Sequence, residues 1–169
     1  LTELPGIRRQ DIDEGTRSLW RYQAAFPLRI TNPVSIGEGC TPLHRGSFDG
    51  KECSFKLEWF SPTGSFKDRG ASVLISCLRQ QGIKRILEDS SGNGGAAIAG
   101  YGAAAGMAVK VLVPASTSPA KITQSRAYGA EIELIPGPRE ATEAAAIEQA
   151  SETFYASHNW HPFFLQGTK

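Results

Sequence analysis

The sequence has little cysteine and no excess of charge of either sign. Its three cysteines, Cys40, Cys53 and Cys77, are far apart among 169 residues, which excludes a disulfide-rich scaffold and a cysteine metal site. We expect free thiols in a reducing compartment and therefore a cytoplasmic protein. Eighteen basic and 17 acidic residues leave a formal net charge of +1, which predicts neither nucleic acid nor an anionic membrane as a partner.

Long apolar runs and targeting segments are also lacking. Every apolar stretch is interrupted by glycine, proline or a charged residue well short of a membrane span. No segment near the start combines basic residues, an apolar run and a small-residue cleavage site. The hydrophobic content of 40% is ordinary for a globular domain with a real core.

Residues 61–70, which read S-P-T-G-S-F-K-D-R-G, carry the strongest local pattern in the chain. Proline and glycine end any strand before them. Ser65 followed three residues later by Asp68 fits a capping box, which predicts a helix with Ser65 as its N-cap. That helix should run to about Gln81 and stop at Gly82, which suits a left-handed C-terminal position.

Lys67 lies in the first turn of this predicted helix. Its spacing to Ala71 and Leu74 places it on the apolar face. The helix dipole and burial both disfavour the ammonium form there, and both lower the expected lysine pKa. A lysine of lowered pKa can act as a Schiff-base nucleophile. The alternative is an ordinary lysine whose charged head reaches water past the helix end.

A second candidate site is the loop at residues 89–95, D-S-S-G-N-G-G, between a predicted strand and a predicted helix. Backbone N–H groups and the helix dipole favour an anion at such a turn, and Ser90 and Ser91 add hydroxyl donors. One alternative is a tight turn of small residues. Another is the dinucleotide fingerprint G-x-G-x-x-A, but the next strand ends without the acidic residue that would bind a ribose.

After Gly82 the chain alternates between predicted strands and predicted helices. We predict strands at 85–89, 109–113, 131–135 and 153–156, with helices at 95–105, 119–128 and 139–151 between them. This alternation indicates parallel strands joined by right-handed crossovers. Before residue 61 we expect a loop over 1–16, a short helix over 16–25, a hairpin turn at Asp49 and Gly50, and a strand over 52–60.

Three features are interpreted as structural. His158 and His161 have a spacing that could suit a metal, but Pro162 argues against a helix there and no cysteine or acid is near. We therefore predict no metal site and two loop or packing histidines. Cys77 should lie in the core, and the glutamates of the 139–151 helix should face solvent.

The two candidate sites resemble motifs of the pyridoxal-phosphate enzymes with the tryptophan synthase β-like fold, also called fold type II. The string around Lys67 is most similar to the threonine synthase branch, and residues 38–43, E-G-C-T-P-L, resemble a structural string near the start of that family's first domain. The resemblance implies an α/β fold of three layers, with parallel sheets flanked by helices. It divides the chain into part of a large domain (1–82), a small mobile domain (83–157) and a return to the large domain (158–169).

The same resemblance implies the roles of individual residues. Lys67 is the catalytic residue and holds pyridoxal 5'-phosphate as an internal aldimine, while Asp68 and Arg69 hold the helix start. Cofactor contacts are implied for Phe66, near the ring, and for Asn93, which hydrogen-bonds the ring oxygen. The implied substrate-binding residues, which orient the carboxylate, are Ser90, Ser91, Gly92 and Gly94.

The implied function is that of a threonine synthase-like lyase of amino-acid biosynthesis, which converts O-phospho-L-homoserine and water to L-threonine and phosphate. Its partner is a small amino-acid substrate, and the full-length protein is expected to be a homodimer. Because the family's cradle for the cofactor phosphate is expected beyond Lys169, the chain resembles the N-terminal portion of a longer enzyme. The alternatives are a threonine or serine ammonia-lyase of the same fold, and a non-catalytic fragment without that cradle.

Overall fold

The computed structural model of this protein describes residues 6–168, which form two sheets and five α-helices. An antiparallel pair consists of β1 (Leu43–Phe48) and β2 (Lys51–Lys56). A parallel sheet has the order β5-β4-β3-β6 and contains β3 (Arg85–Glu88), β4 (Ala108–Pro114), β5 (Glu131–Ile135) and β6 (Phe154–Tyr155). The helices are α1 (Lys67–Gln80), α2 (Asn93–Ala104), α3 (Pro119–Ala127), α4 (Arg139–Gln149) and α5 (Pro162–Thr168).

The parallel sheet is covered by helices on both faces. Ile86 and Val111 face the main core, where α1 and α2 supply Leu74, Ile98 and other buried side chains. The neighbouring Leu87 and Leu112 point the other way and pack on Ala146 of α4. Successive residues of a strand face opposite sides, so this alternation of buried residues needs helices on both sides of the sheet. The predicted α/β fold with a parallel sheet is confirmed.

Most predicted elements after residue 61 are present with ends within a few residues of those expected. Gly82 has φ +81° at the end of α1, and Ile83 N–H donates to the Leu78 carbonyl at 3.1 Å. These two features are a Schellman motif, as the sequence predicted. The hairpin turn is also confirmed, since Asp49 (φ +49°) and Gly50 (φ +72°) join β1 to β2.

Two predictions near the start of the chain need correction. The helix expected over 16–25 is a 3-10 helix at Leu19–Ala25, in which Trp20 N–H donates to the Ser18 hydroxyl. The loop predicted over 1–16 contains a short 3-10 turn at Arg9–Asp11, and residues 1–5 of that prediction lie outside the described residues.

The strand predicted over 52–60 is too long. The strand ends at Lys56, and Glu58–Phe60 form a 3-10 turn. Glu58 turns away to pair with Arg69, which leaves Trp59 and Phe60 mostly exposed. A long-range ion pair therefore overrides the local alternation of polar and apolar residues.

A buried hydrogen-bond network ties the E-G-C-T-P-L segment to the core. Glu38 is fully buried and accepts from Tyr101 of α2 at 2.7 Å and from Ser72 of α1 at 3.0 Å. Trp20 Nε1–H extends the network by donating to the Ser72 hydroxyl at 2.8 Å. Each buried polar side chain of this network thus has a partner, as burial requires. The structural role expected for this segment agrees with these contacts.

Helix α5 was not predicted. It begins at Pro162, a residue that suits the first position of a helix because its missing N–H is not needed there. The ring nitrogen Nδ1 of His161 accepts from Phe163 N–H at 3.3 Å, so His161 caps this helix. Pro162 does exclude a helix across residues 158–161, but it starts one immediately afterwards.

The acid sensitivity of the fold should depend on His161. Burial lowers the pKa of this imidazole below its ordinary value of 6.5, so the unfolded chain binds the proton more readily. The stabilisation from neutral His161 is present above pH 6.5 and is lost as the pH falls from there through the lowered pKa. We expect His161→Asn, which keeps a capping acceptor, to lose this pH dependence. The difference in slope should reach at most about 1.4 kcal/mol per pH unit.

Urea unfolding of both proteins between pH 7.5 and 4.5 measures this effect. Because other titrating groups are common to the two proteins, the difference between their unfolding free energies isolates His161. A difference that stays constant across this range would contradict the prediction.

The described part of the chain contains neither a membrane-spanning helix nor a cluster of metal ligands. No helix within residues 6–168 is long and apolar enough to cross a membrane. Within the same residues no group of three or more histidine, cysteine or acidic side chains could hold a metal ion. The three cysteines are free, and Cys77 is buried as predicted.

Candidate active site

Lys67 is the first residue of α1, and its ammonium group lies between two aromatic rings. The Nζ atom is 5.2 Å from the centroid of the Phe66 ring and 5.6 Å from that of Phe164. Within residues 6–168 this nitrogen has no hydrogen-bond or ion-pair partner, although the side chain is half-buried. The amine therefore lies beside two aromatic rings and makes neither a hydrogen bond nor an ion pair within the described residues.

The neighbours of Lys67 hold the start of α1, but not in the predicted way. Asp68 reaches past Ser65 and accepts from the backbone N–H of Thr63 at 2.7 Å and from the Thr63 hydroxyl. The Ser65 hydroxyl accepts from Lys67 N–H at 3.3 Å. The predicted capping box is therefore replaced by two hydrogen bonds from Thr63 to Asp68. They form because the turn at Gly64 (φ +89°) brings Thr63 back to the start of the helix.

Asp68 and Arg69 both fix the first turn of α1, which carries Lys67. Burial raises the pKa of the Asp68 carboxyl, against the effect of its hydrogen bonds to Thr63. Arg69 donates from Nε and Nη2 to the two carboxylate oxygens of Glu58, at 2.8 and 2.9 Å. This two-point pairing holds the pKa of Glu58 below its ordinary value. These contacts support the structural role expected for both residues.

The loop between β3 and α2 presents free hydrogen-bond donors. Gly92 precedes the first turn of α2, and no side chain caps that turn. Asn93 is exposed, and its amide has no hydrogen-bond partner in the described part of the chain. The Ser90 hydroxyl accepts from Gly92 N–H at 3.4 Å, which folds the loop over the helix start. Uncapped N–H groups at the positive end of a helix favour an anion such as a carboxylate.

Asp89 anchors the beginning of this loop. Its carboxylate is almost fully buried and accepts from the Tyr155 hydroxyl at 2.7 Å and from the Arg139 guanidinium. Burial, together with this hydrogen bond, raises the pKa of Tyr155. Because both partners come from elements far along the chain, the loop is attached to β6 and α4 as well as to β3.

The lysine and the loop are connected through His158 and Phe164. A Cβ placed on Gly94 would lie 2.8 Å from the His158 ring, so the two residues are in direct contact. The His158 ring meets the Phe164 ring edge to face, with centroids 5.8 Å apart. Phe164 in turn packs on Gly70 and faces Lys67. The structure therefore brings the two predicted sites onto one side of the molecule.

The residues that make this connection are not predictable from local sequence patterns. His158, expected as a loop or packing residue, contacts the carboxylate of Glu88 through both its backbone N–H and its Nδ1. Glu88 is fully buried at the end of β3, and burial raises its pKa. The available signal was an acidic residue directly after the apolar pair Ile86 and Leu87, since a buried carboxylate needs a partner.

The residues at this site fit pyridoxal phosphate. An amine with no structural partner, an exposed carboxamide and an uncapped helix start are the donors that such a cofactor and an amino-acid carboxylate require. Lys67 would hold the cofactor covalently, with Phe66 beside its ring and Asn93 toward its ring oxygen. The fit concerns the amine-binding and carboxylate-binding side of the site.

Comparison with known proteins places the chain among enzymes of this kind. Residues 34–169 match the family described as pyridoxal-phosphate dependent enzyme. Threonine synthase of Methanosarcina acetivorans is 35% identical over 90% of this chain and 39% of its own length. Threonine synthase of Methanocaldococcus jannaschii is 33% identical over 96% of this chain and 41% of its own length.

A solved structure supports the fold. A hydrogen sulfide-producing enzyme of Fusobacterium nucleatum is 32% identical, with a TM-score of 0.64 over 72% of this chain and 43% of that protein. The chain thus spans about two fifths of the length of the relatives that it matches.

Proposed function

Since this chain belongs to the pyridoxal-phosphate dependent enzyme family, we propose that the protein containing it is a lyase of the threonine synthase type. The proposed reaction converts O-phospho-L-homoserine and water to L-threonine and phosphate. The placement of Lys67 carries this proposal. Its amine is half-buried at a helix start, lies between two aromatic rings, and has no structural partner within residues 6–168. The similarity to threonine synthases supports the choice of reaction.

Each residue of the site has a proposed part in the chemistry. When bound, the cofactor supplies an acceptor for the electrons released at the substrate α-carbon. The Nζ atom of Lys67 would hold the cofactor and, as a free amine, would remove the α-proton of the substrate as a general base. The backbone N–H of Gly94 and the hydroxyls of Ser90 and Ser91 bind the substrate carboxylate, and Gly92 forms the turn that presents them. Binding of the carboxylate in this way orients the substrate so that the bond between its α-carbon and its α-proton points toward Lys67.

The surroundings of Lys67 suit a proton transfer. The rings of Phe66 and Phe164 exclude water from two sides of the amine. The neutral amine is the form that attacks and accepts a proton. Arg69 does not compete for substrate anions because Glu58 occupies its guanidinium.

We further propose that the domain boundaries expected from the family apply here. Residues 1–82 would belong to the large domain, 83–157 to the small mobile domain, and 158–169 to the return of the chain. The location of α5 supports the last boundary, since Phe164 packs against Gly70 of α1 whereas β6 pairs with β3 in the parallel sheet. The full-length protein is proposed to be a homodimer.

Product analysis of the full-length protein tests the proposed reaction. We expect phosphate release from O-phospho-L-homoserine with formation of an equal amount of L-threonine. Lys121→Ala, which changes an exposed lysine of α3, is the control and should react as the wild type does. Release of ammonia and a keto acid from L-threonine, without phosphate release from the other substrate, would contradict the proposal and support an ammonia-lyase.

A further inference from the structure

We propose that Glu88 and His158 form a positioning pair that sets the distance between the substrate-carboxylate loop and Lys67. The inference rests on the proposed function, because it assumes that the start of α2 binds the carboxylate. His158 is here a positioning residue: its ring contacts protein groups on both sides, and its effect on the substrate passes through Gly94.

His158 is rigidly attached to the end of β3 through Glu88. Glu88 accepts from the backbone N–H of His158 at 3.2 Å and is hydrogen-bonded to its Nδ1 through the other carboxylate oxygen. Both the backbone and the ring of His158 are therefore fixed by one side chain. Glu88 has no exposed surface, so a bond that is lost cannot be replaced by water.

The His158 ring lies between the start of α2 and the lysine site. On one side it touches Gly94, in the first turn of α2, so closely that a Cβ there would lie 2.8 Å from Nδ1. On the other side it meets Phe164, whose ring lies 5.6 Å from the Lys67 amine. The imidazole is thus a spacer between the helix start and the aromatic wall of the lysine site.

The groups on both sides of the His158 ring are closely packed. Phe164 cannot retreat from His158, because it packs against α1 at Gly70, where a Cβ would lie 2.5 Å from its ring. Gly94 begins a buried stretch of α2 that continues to Gly102. In such a close-packed region the loss of the ring must move the helix start or leave a void. Misplacement by about 1 Å is enough to reduce binding or catalysis up to about a hundredfold.

The test separates positioning from simple stabilisation by measuring substrate-like binding without turnover. L-Alanine carries the α-amine and α-carboxylate but no leaving group, so its binding to the full-length, cofactor-loaded protein can be followed by the change in the cofactor absorbance. We expect His158→Ala to raise the dissociation constant of L-alanine about ten- to hundredfold. The lysine-bound cofactor band should keep its wild-type intensity, since Lys67 itself is unchanged.

Two further variants make the test specific. Glu88→Gln keeps the side-chain volume and weakens only the hold on His158, so it should raise the dissociation constant about two- to tenfold. In a double variant with His158→Ala, it should add nothing further, because Glu88 acts through His158. His161→Asn, which changes the other histidine of the same segment, is the matched control and should bind L-alanine as the wild type does.

The result that overturns the inference is wild-type L-alanine affinity in both Glu88→Gln and His158→Ala, whatever their melting temperatures. Additive losses in the double variant would also overturn it. Glu88→Gln keeps the test decisive if His158→Ala does not hold the cofactor. The outcome is independent of the substrate assigned above, because L-alanine binding does not require phosphate release.

Discussion

Replacing Lys67 by alanine in the full-length protein should remove the visible absorbance band of the lysine-bound cofactor. It should also lower turnover of O-phospho-L-homoserine by at least about 10³-fold, within the range expected for a positioned acid–base group. The reason is that the Lys67 amine, which lies at the start of α1 beside two aromatic rings, is the proposed attachment point of the cofactor and the proposed base. Absorbance spectra with added pyridoxal phosphate, followed by a phosphate-release assay, measure both effects.

Two variants and a shorter chain serve as controls for this result. Lys67→Arg keeps the positive charge over the rings but cannot form the covalent link, so its spectrum should match that of Lys67→Ala. Lys121→Ala should keep the band. If the 169-residue chain alone shows no band while the longer protein does, the fold assignment stands and the chain is an inactive portion. A band that persists in Lys67→Ala would refute the assignment of this lysine.

Replacing Gly95 by alanine should disrupt the loop that precedes α2. A Cβ at this position would clash with the backbone carbonyl oxygen of Ser90, which cannot rotate away as a flexible side chain could. Either the loop or the first turn of α2 must move, at an expected loss of about 1–3 kcal/mol of unfolding free energy. The same shift would displace the N–H of Gly94 and the hydroxyl of Ser90, so the affinity for L-alanine should fall as well.

Gly92→Ala is the matched control for stability. Gly92 has a negative φ of −124°, and no atom lies within 4 Å of a Cβ placed there. Urea unfolding should therefore show a much smaller change for Gly92→Ala than for Gly95→Ala. Equal losses of unfolding free energy in the two variants would mean that the clash with the Ser90 carbonyl is not the cause of the destabilisation.

Much of the fold could be predicted from the sequence because its signals are local. The ends of α1 and α3, the Asp49–Gly50 turn and the alternation of strands with helices each depend on a few adjacent residues and on backbone preferences. The motif around Lys67 and the loop before α2 could be located for the same reason. Family resemblance then indicated a cofactor and a reaction that no local pattern alone could specify.

The contacts that organise the site could not be predicted in this way. Glu88 and His158 are 70 positions apart, and the ion pair between Glu58 and Arg69 joins the 3-10 turn after β2 to α1. Helix α5 brings Phe164 to α1 after the chain has completed the whole parallel sheet. In each case the partner is chosen by packing between distant segments.

The sequence by itself determined where the reactive lysine and the anion-binding turn lie along the chain, because helix starts, glycine turns and strand periodicity are properties of neighbouring residues. Only the tertiary structure decided how the two meet. Burial of Glu88 demands a partner, His158 supplies it, and the space left by Gly94 and Gly70 lets the two aromatic rings join the loop to Lys67.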